Sequence, residues 1–409
     1  MSNLNSKSFT EQGTAAFPQP RLDFLDGIRG LAAVYVILFH IWQAAKTADD
    51  LPSIAARAIV WMAFGRSAVA VFIVLSGFCL MMPVARSSDG KLRGGVLRYF
   101  QKRAWRILPP YYIALALSLG VLALVPGLKD ARHLWWSHTV PAFTPDVLLS
   151  HALLYHNWHG AWIFRINGPL WSVATECQIY LLFPLLLLPL WRRCGLMVMV
   201  AVAFAVGLAP HLLTGRFGLT APWFLGLFAL GMVAAIICFS SKPSAQQART
   251  RLPWGFITTV LCALYVGIAC YGIATRRPFM LWTTTWRMDV LVGVAAMSLL
   301  VFCTRVVIEK PGVRRPLVLR LLEAPWSVAL GAFSYSIYLV HEPVVGLAEA
   351  AGRSLALSPV MCLITLFGAV PLSLGIAYLF HLFVERHFMP GAPQTKAETV
   401  QTAALSPAP

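Results

Sequence analysis

The chain has 409 residues, 58% of them apolar and 12% charged, against the ~25% charged of a typical soluble domain. That balance excludes a water-soluble fold of this length, which would need far more polar surface. The net charge of +17 would suggest nucleic acid in a soluble protein, but here its distribution reads as membrane topology.

The first twenty residues are polar and lack an apolar core, so they read as a disordered tail rather than a cleaved leader. Residues 390–409 read the same way, and neither end is expected to hold a second folded domain. Between them, residues 21–389 contain apolar runs of roughly 17–25 residues, the length that spans a bilayer as helix. Spans are predicted near 27–45, 63–82, 109–125, 170–190, 196–213, 221–240, 255–274, 286–304, 325–348 and 357–384. The expected fold is an all-α integral membrane protein of about ten helices. The two termini and the loops after spans two, four, six and eight carry 21 of the 33 Lys and Arg, the other loops carry 11, and Arg29 lies inside the first span. Positive charge marks the cytoplasmic side, so both termini are expected there.

The first span holds Arg29 and His40. Eleven residues at 100° each leave about 20° of offset, so both occupy one helix face, about 16 Å apart along the axis. Snorkelling, or pairing with Asp26, would also account for Arg29. Ser76-Gly77 in the second span reads as small residues that permit close packing. The connection after it is strongly basic: Arg86, Lys91, Arg93, Arg98, Lys102, Arg103 and Arg106 stand against Asp89 alone. Topology and anionic headgroups explain part of this; a site for a polyanionic substrate explains the excess, because Arg grips phosphate with a bidentate fork.

The longest outer loop, 126–169, carries His133, His138, His151, His156 and His159. No His-x-x-x-His pair with carboxylates accompanies them, so no metal site is expected, and the loop reads as a polar, aromatic rim for a sugar-like acceptor. The eight cysteines form no C-x-x-C pair and suggest neither a disulfide framework nor zinc. Pro169 suits the first turn of the fourth span. Glu176 is then expected about two turns in from the outer surface, level with His40, whose tautomer a carboxylate would fix. Hydrogen bonding to Ser172 or backbone is the bland account of Glu176. Arg287 and Asp289 are expected to pair at the edge of the eighth span. His341 and Glu342, before Pro343, either line the same cavity or satisfy a broken helix, and His381 reads as interfacial. An ionisable group within a span costs a few kcal/mol, so each is a functional hypothesis.

These residues resemble the membrane acyltransferase-3 family. RLDFLDGIRGLAAVYVILFH is similar to its opening, in which an Arg and a His stand ten residues apart in the first span. VFIVLSGF, RYFQKRAWRILPPYY, NGPLWSVATECQIYLLFP, SYSIYLVHEP and VERHF resemble its later segments, in order, from about Leu22 to Phe388. The resemblance implies a ten-helix O-acyltransferase of the inner (plasma) membrane. Such an enzyme moves a short acyl group, such as acetyl, from cytoplasmic acyl-CoA to a hydroxyl of a sugar-containing acceptor. It implies that His40 is essential with Arg29 as its companion, that Arg103 and Arg106 form the donor-holding R-x-x-R pattern, and that Glu176 is the acid of the W-S-x-x-x-E segment. The chain departs from the family at Cys177, often a second acid, and at Ala70, often Asp. The rival expectation is a proton-coupled transporter or flippase, which intramembrane His, Glu and Arg would equally suit. No internal inverted repeat supports it.

Overall fold

The computed structural model describes residues 21–46, 52–125, 134–275, 285–309 and 313–389. The two predicted tails, His133 and Lys310 lie outside them. The described residues form helices and connecting turns, without a strand.

The principal helices are α1 (Phe24–Lys46), α2 (Arg66–Arg86), α3 (Gly95–Leu124), α4 (Leu170–Leu182), α5 (Leu196–Thr214), α6 (Phe224–Phe239), α7 (Trp254–Ala274), α8 (Thr285–Glu309), α9 (Ser334–Ser354) and α10 (Pro359–Phe383). A short π turn carries α4 onward to Cys194. By length and hydropathy, eight of these cross a bilayer as single helices. The other two, α6 and α9, belong to pairs bent by 94° and 76°, which gives up to ten spans. The ends follow local chemistry. Ser358 caps α10 ahead of Pro359 by accepting from the Met361 N–H. Gly215 closes α5 in the left-handed conformation, φ 65°, which separates the fifth and sixth spans where the sequence placed their boundary.

The third span departs from its predicted start. Gly94 and Gly95 turn the chain at φ 78° and 80°, and α3 then runs 30 residues, so most of the predicted basic loop is its first turns. Pro109 and Pro110 stand inside the helix without ending it. The result places Arg103 and Arg106 one turn apart on one helix face.

The bundle is layered by how much each helix buries. In α6, 14 of 16 residues are buried, whereas only 11% of the apolar window of α7 is; α7 therefore faces lipid and α6 the protein. One close crossing joins α2 to α6. A Cβ on Gly77 would lie 2.1 Å from the Phe228 carbonyl oxygen, and one on Gly231 would lie 1.9 Å from that of Val74. Helices in lipid gain no hydrophobic drive from each other's surface, so close backbone approach through small residues is what binds them.

Residues 134–168 are partly drawn into the bundle. Trp136 is fully buried against Gly346 of α9. The Trp135 and Trp136 N–H groups donate to the Glu349 carboxylate, and the Arg165 guanidinium clamps the His138 and Val140 carbonyls. Asn167 donates to the Leu339 carbonyl and to Ser118 Oγ, both at 3.0 Å. This loop is anchored into the outer half of α9.

Candidate active site

A cavity of about 310 Å³ opens between α1, α2, α3, α4 and α9. Arg29, Arg103, Arg106 and Glu176 all line it, so four of the five residues singled out in the sequence converge. Arg29 is held twice: Nη1 donates to Asp26 Oδ1 at 2.9 Å and Nη2 to Cys79 Sγ at 3.1 Å. The pairing with Asp26 and a place on the cavity wall are therefore both real. Arg103 and Arg106 have no carboxylate within ion-pair distance among the described residues. The bases nearby on other helices differ: Arg305 and Arg249 both pair with Glu309, and Arg315 pairs with Glu323. Arg103 and Arg106 thus face the cavity beside Arg29 without a carboxylate partner among the described residues, two guanidinium forks suited to a polyanion.

His40 stands elsewhere. Its ring packs at 5.0 Å between centroids against His341, and neither histidine lines the cavity. His40 is half-buried, and its Nδ1 is buried without a hydrogen-bond partner among the described residues. His341 is fully buried, with Nδ1 bound to the Ile337 carbonyl at 3.0 Å. One turn back on α9, Tyr338 lines the cavity and lies 6.0 Å from the His341 ring. The histidine pair thus sits behind Tyr338, off the cavity wall.

The expected contact between His40 and Glu176 is not formed. Glu176 Oε1 accepts from Ser76 Oγ at 2.6 Å and from the Tyr180 hydroxyl. The reason lies in where α4 begins. Pro169 is not at the outer surface, because its carbonyl accepts from the Tyr338 hydroxyl at 3.1 Å and the Gly168 N–H donates to Glu342. Turns counted from Pro169 therefore start deep in the bundle. Glu176 emerges beside Ser76, one turn from the Cys79 that holds Arg29.

Two further expectations change and a third is refined. Arg287 and Asp289 do not pair, since residues two apart on a helix point away from each other. Asp289 instead accepts from Trp223 Nε1 at 2.8 Å and pairs with Arg66 at 3.5 Å, while Arg287 lies over the Trp286 ring. His381, near the end of α10, gains a specific partner and pairs with buried Glu385 at 2.9 Å. Ser76 is a cavity residue, and the packing role belongs to Gly77 alone.

Among the described outer-loop histidines, His138 joins this region. Nε2 lies 3.1 Å from Glu342 Oε1, and Nδ1 is bonded to the Trp135 carbonyl. Both ring nitrogens thus face oxygen acceptors, an arrangement that favours the doubly protonated ring. Burial opposes that charge, but the hydrogen bond to Glu342 and its negative charge outweigh burial and hold the imidazole above its ordinary value. His151 and His156 stack at 3.9 Å. Burial, aided by His151, pushes His156 down to about 3, so that pair is structural. Sequence reasoning missed His138 as the partner of Glu342, which no local pattern reveals. Tyr338 was within reach, because it shares a helix face with His341 and Glu342 at i, i+3 and i+4.

A family profile described as an acyltransferase domain matches residues 22–382. The chain is 25% identical over 352 residues to BcsY of Komagataeibacter xylinus, whose name describes a membrane-bound transacylase, covering 81% of this chain and 75% of that one. It is 26% identical over 228 residues, 52% of this chain, to nodulation protein 10 of Rhizobium leguminosarum bv. viciae, spanning 59% of that protein's length. It is 30% identical over 166 residues, 40% of this chain, to the acyltransferase MdmB of Streptomyces mycarofaciens, spanning 39% of it. No solved structure matches.

Proposed function

The chain belongs to the acyltransferase-3 family and is a multi-pass membrane acyltransferase, and from that premise we propose which groups it moves and how. The donor is a cytoplasmic acyl-CoA carrying acetyl or another short acyl group. The acceptor is a hydroxyl of a sugar-containing molecule. The end of the bundle that carries Arg103 and Arg106 faces the cytoplasm with both termini, and the membrane is the inner (plasma) membrane. One observation carries this reading: a cavity whose wall carries two arginines without an ion-pair partner among the described residues also includes Tyr338, one turn from a histidine pair.

Arg103 and Arg106 hold the donor phosphates, and Arg29 supports the arm that follows. The arm runs past Ser76, Glu176 and Tyr180 and brings the thioester to His40. The buried Nδ1 of His40 has an open lone pair and takes the acceptor hydroxyl's proton as that oxygen attacks the thioester carbon; the CoA thiolate leaves. His341 holds the His40 ring from the α9 side. Glu176 shapes the donor wall and does not fix the tautomer of His40.

His40→Ala should lower transfer of label from acyl-CoA to membrane glycans by at least about a hundredfold, the span of general-base catalysis, with expression unchanged. Near-normal activity in that variant overturns the reading. The same assay answers the carrier alternative, because a transporter leaves no covalently labelled product.

A further inference from the structure

Two rings meet on the cavity wall beside the histidine pair. Phe72 of α2 and Tyr338 of α9 both line the cavity and meet edge to face, 6.1 Å between centroids at 73°. Behind Tyr338 stands His341, and behind His341 stands His40. A thioester arriving through the cavity meets this pair of rings before it meets an imidazole.

The two rings are held differently. Tyr338 is fixed: its hydroxyl is hydrogen-bonded with Ser172 Oγ at 2.5 Å and donates to the Pro169 carbonyl at 3.1 Å. It is also buried on a helix whose outer half anchors the loop. Phe72 has no polar atom and is half-buried, with the cavity on one side. A phenyl ring with free volume beside it can turn about χ1 and χ2, whereas a doubly hydrogen-bonded phenol stays in place.

We infer that Phe72 is the gate of the site and a determinant of acyl length, a role that rests on the acyl-CoA reading above. With the ring across the gap, the donor cavity and the histidine pair are separate compartments. Water entering with the donor is kept from a thioester activated beside His40, and transfer goes to the acceptor rather than to hydrolysis. The gap left when the ring turns admits a short acyl group and excludes a long one.

The test needs no acceptor. The full-length protein in lipid nanodiscs is given acetyl-CoA or octanoyl-CoA alone, and release of CoA thiol is followed. Phe72→Ala should raise acetyl-CoA hydrolysis about tenfold or more and raise the octanoyl-to-acetyl ratio by at least as much, since one methylene alone is worth roughly 10–200-fold in a fitted pocket. Phe72→Ala/His40→Ala should return hydrolysis to the background. Phe72→Trp, which enlarges the ring, should lower release below the parent at saturating acetyl-CoA, and it serves if the alanine variant does not fold. Unchanged hydrolysis and chain preference in folded variants that bind acetyl-CoA overturn the gate and leave the acyl-CoA reading standing. A parent protein that does not bind acetyl-CoA overturns both.

Discussion

Glu176 shows how much a carboxylate's neighbours decide about its role. Two hydroxyls donate to one of its oxygens, and hydrogen bonds to a charged acceptor are worth about 1.5–3 kcal/mol each. Glu176→Gln should therefore loosen Ser76 and Tyr180 on the donor wall and raise the KM for acyl-CoA by roughly tenfold. Steady-state kinetics across pH should show an unmoved profile for kcat, because the carboxylate does not touch His40. A shifted pH profile with an unchanged donor KM would restore the expected contact between them. Ala70, where the resemblance leads one to expect an Asp in many members, is fully buried. Cys177 in place of the second acid has no explanation in the contacts it makes.

Among the helices, the crossing of α2 and α6 matters most, because α2 carries Ser76, Cys79 and Phe72 to the cavity. Gly77→Ala would set a methyl group 2.1 Å from a backbone oxygen of α6, which cannot step aside as a side chain could. The helices must part, at a cost of about 1–3 kcal/mol for overpacking. A clear drop in the unfolding midpoint in detergent is expected. Gly368→Ala on α10 is the control: a Cβ there meets nothing within 4 Å, and removing a mid-helix glycine should be neutral or gain up to about 1 kcal/mol. Equal effects at the two sites would mean that helix propensity, not close approach, governs both.

Across the whole molecule, one ion pair ties the outer loop to the site. His138 meets Glu342, which also accepts from Gly168, and His341 beside it packs on His40. The groups facing His138 are acidic on α9, at Glu342 and Glu349, with His40 across on α1. The folded state raises the value of this imidazole, so its contribution to holding the loop is complete below the unfolded value, near pH 6.5. It is lost as pH rises through the higher folded value. Arg165 reports the loop's state, since its side chain is clamped when the loop is seated. Tryptic cleavage after Arg165, corrected for protease activity with a free peptide, should quicken as the medium turns alkaline. In His138→Asn it should be fast at every pH. Slow cleavage in that variant throughout the range would remove the ion pair as the anchor.

Legibility followed range. Apolar run length, loop charge and the spacing of Arg29 and His40 are properties of one segment at a time. The number of helices, the shared face of that pair and the cluster at Arg103 and Arg106 could therefore be read without a structure, because a bilayer imposes the same rule on every span. Which carboxylate stands beside which imidazole depends on how deep each helix starts, and that is set by a loop that plunges between helices to satisfy its own backbone groups. Hence Glu176 was placed level with His40 and lies with Ser76, while the pairs at the histidine end, His341 with His40 and His138 with Glu342, were decided only by packing between residues 301 and 204 positions apart.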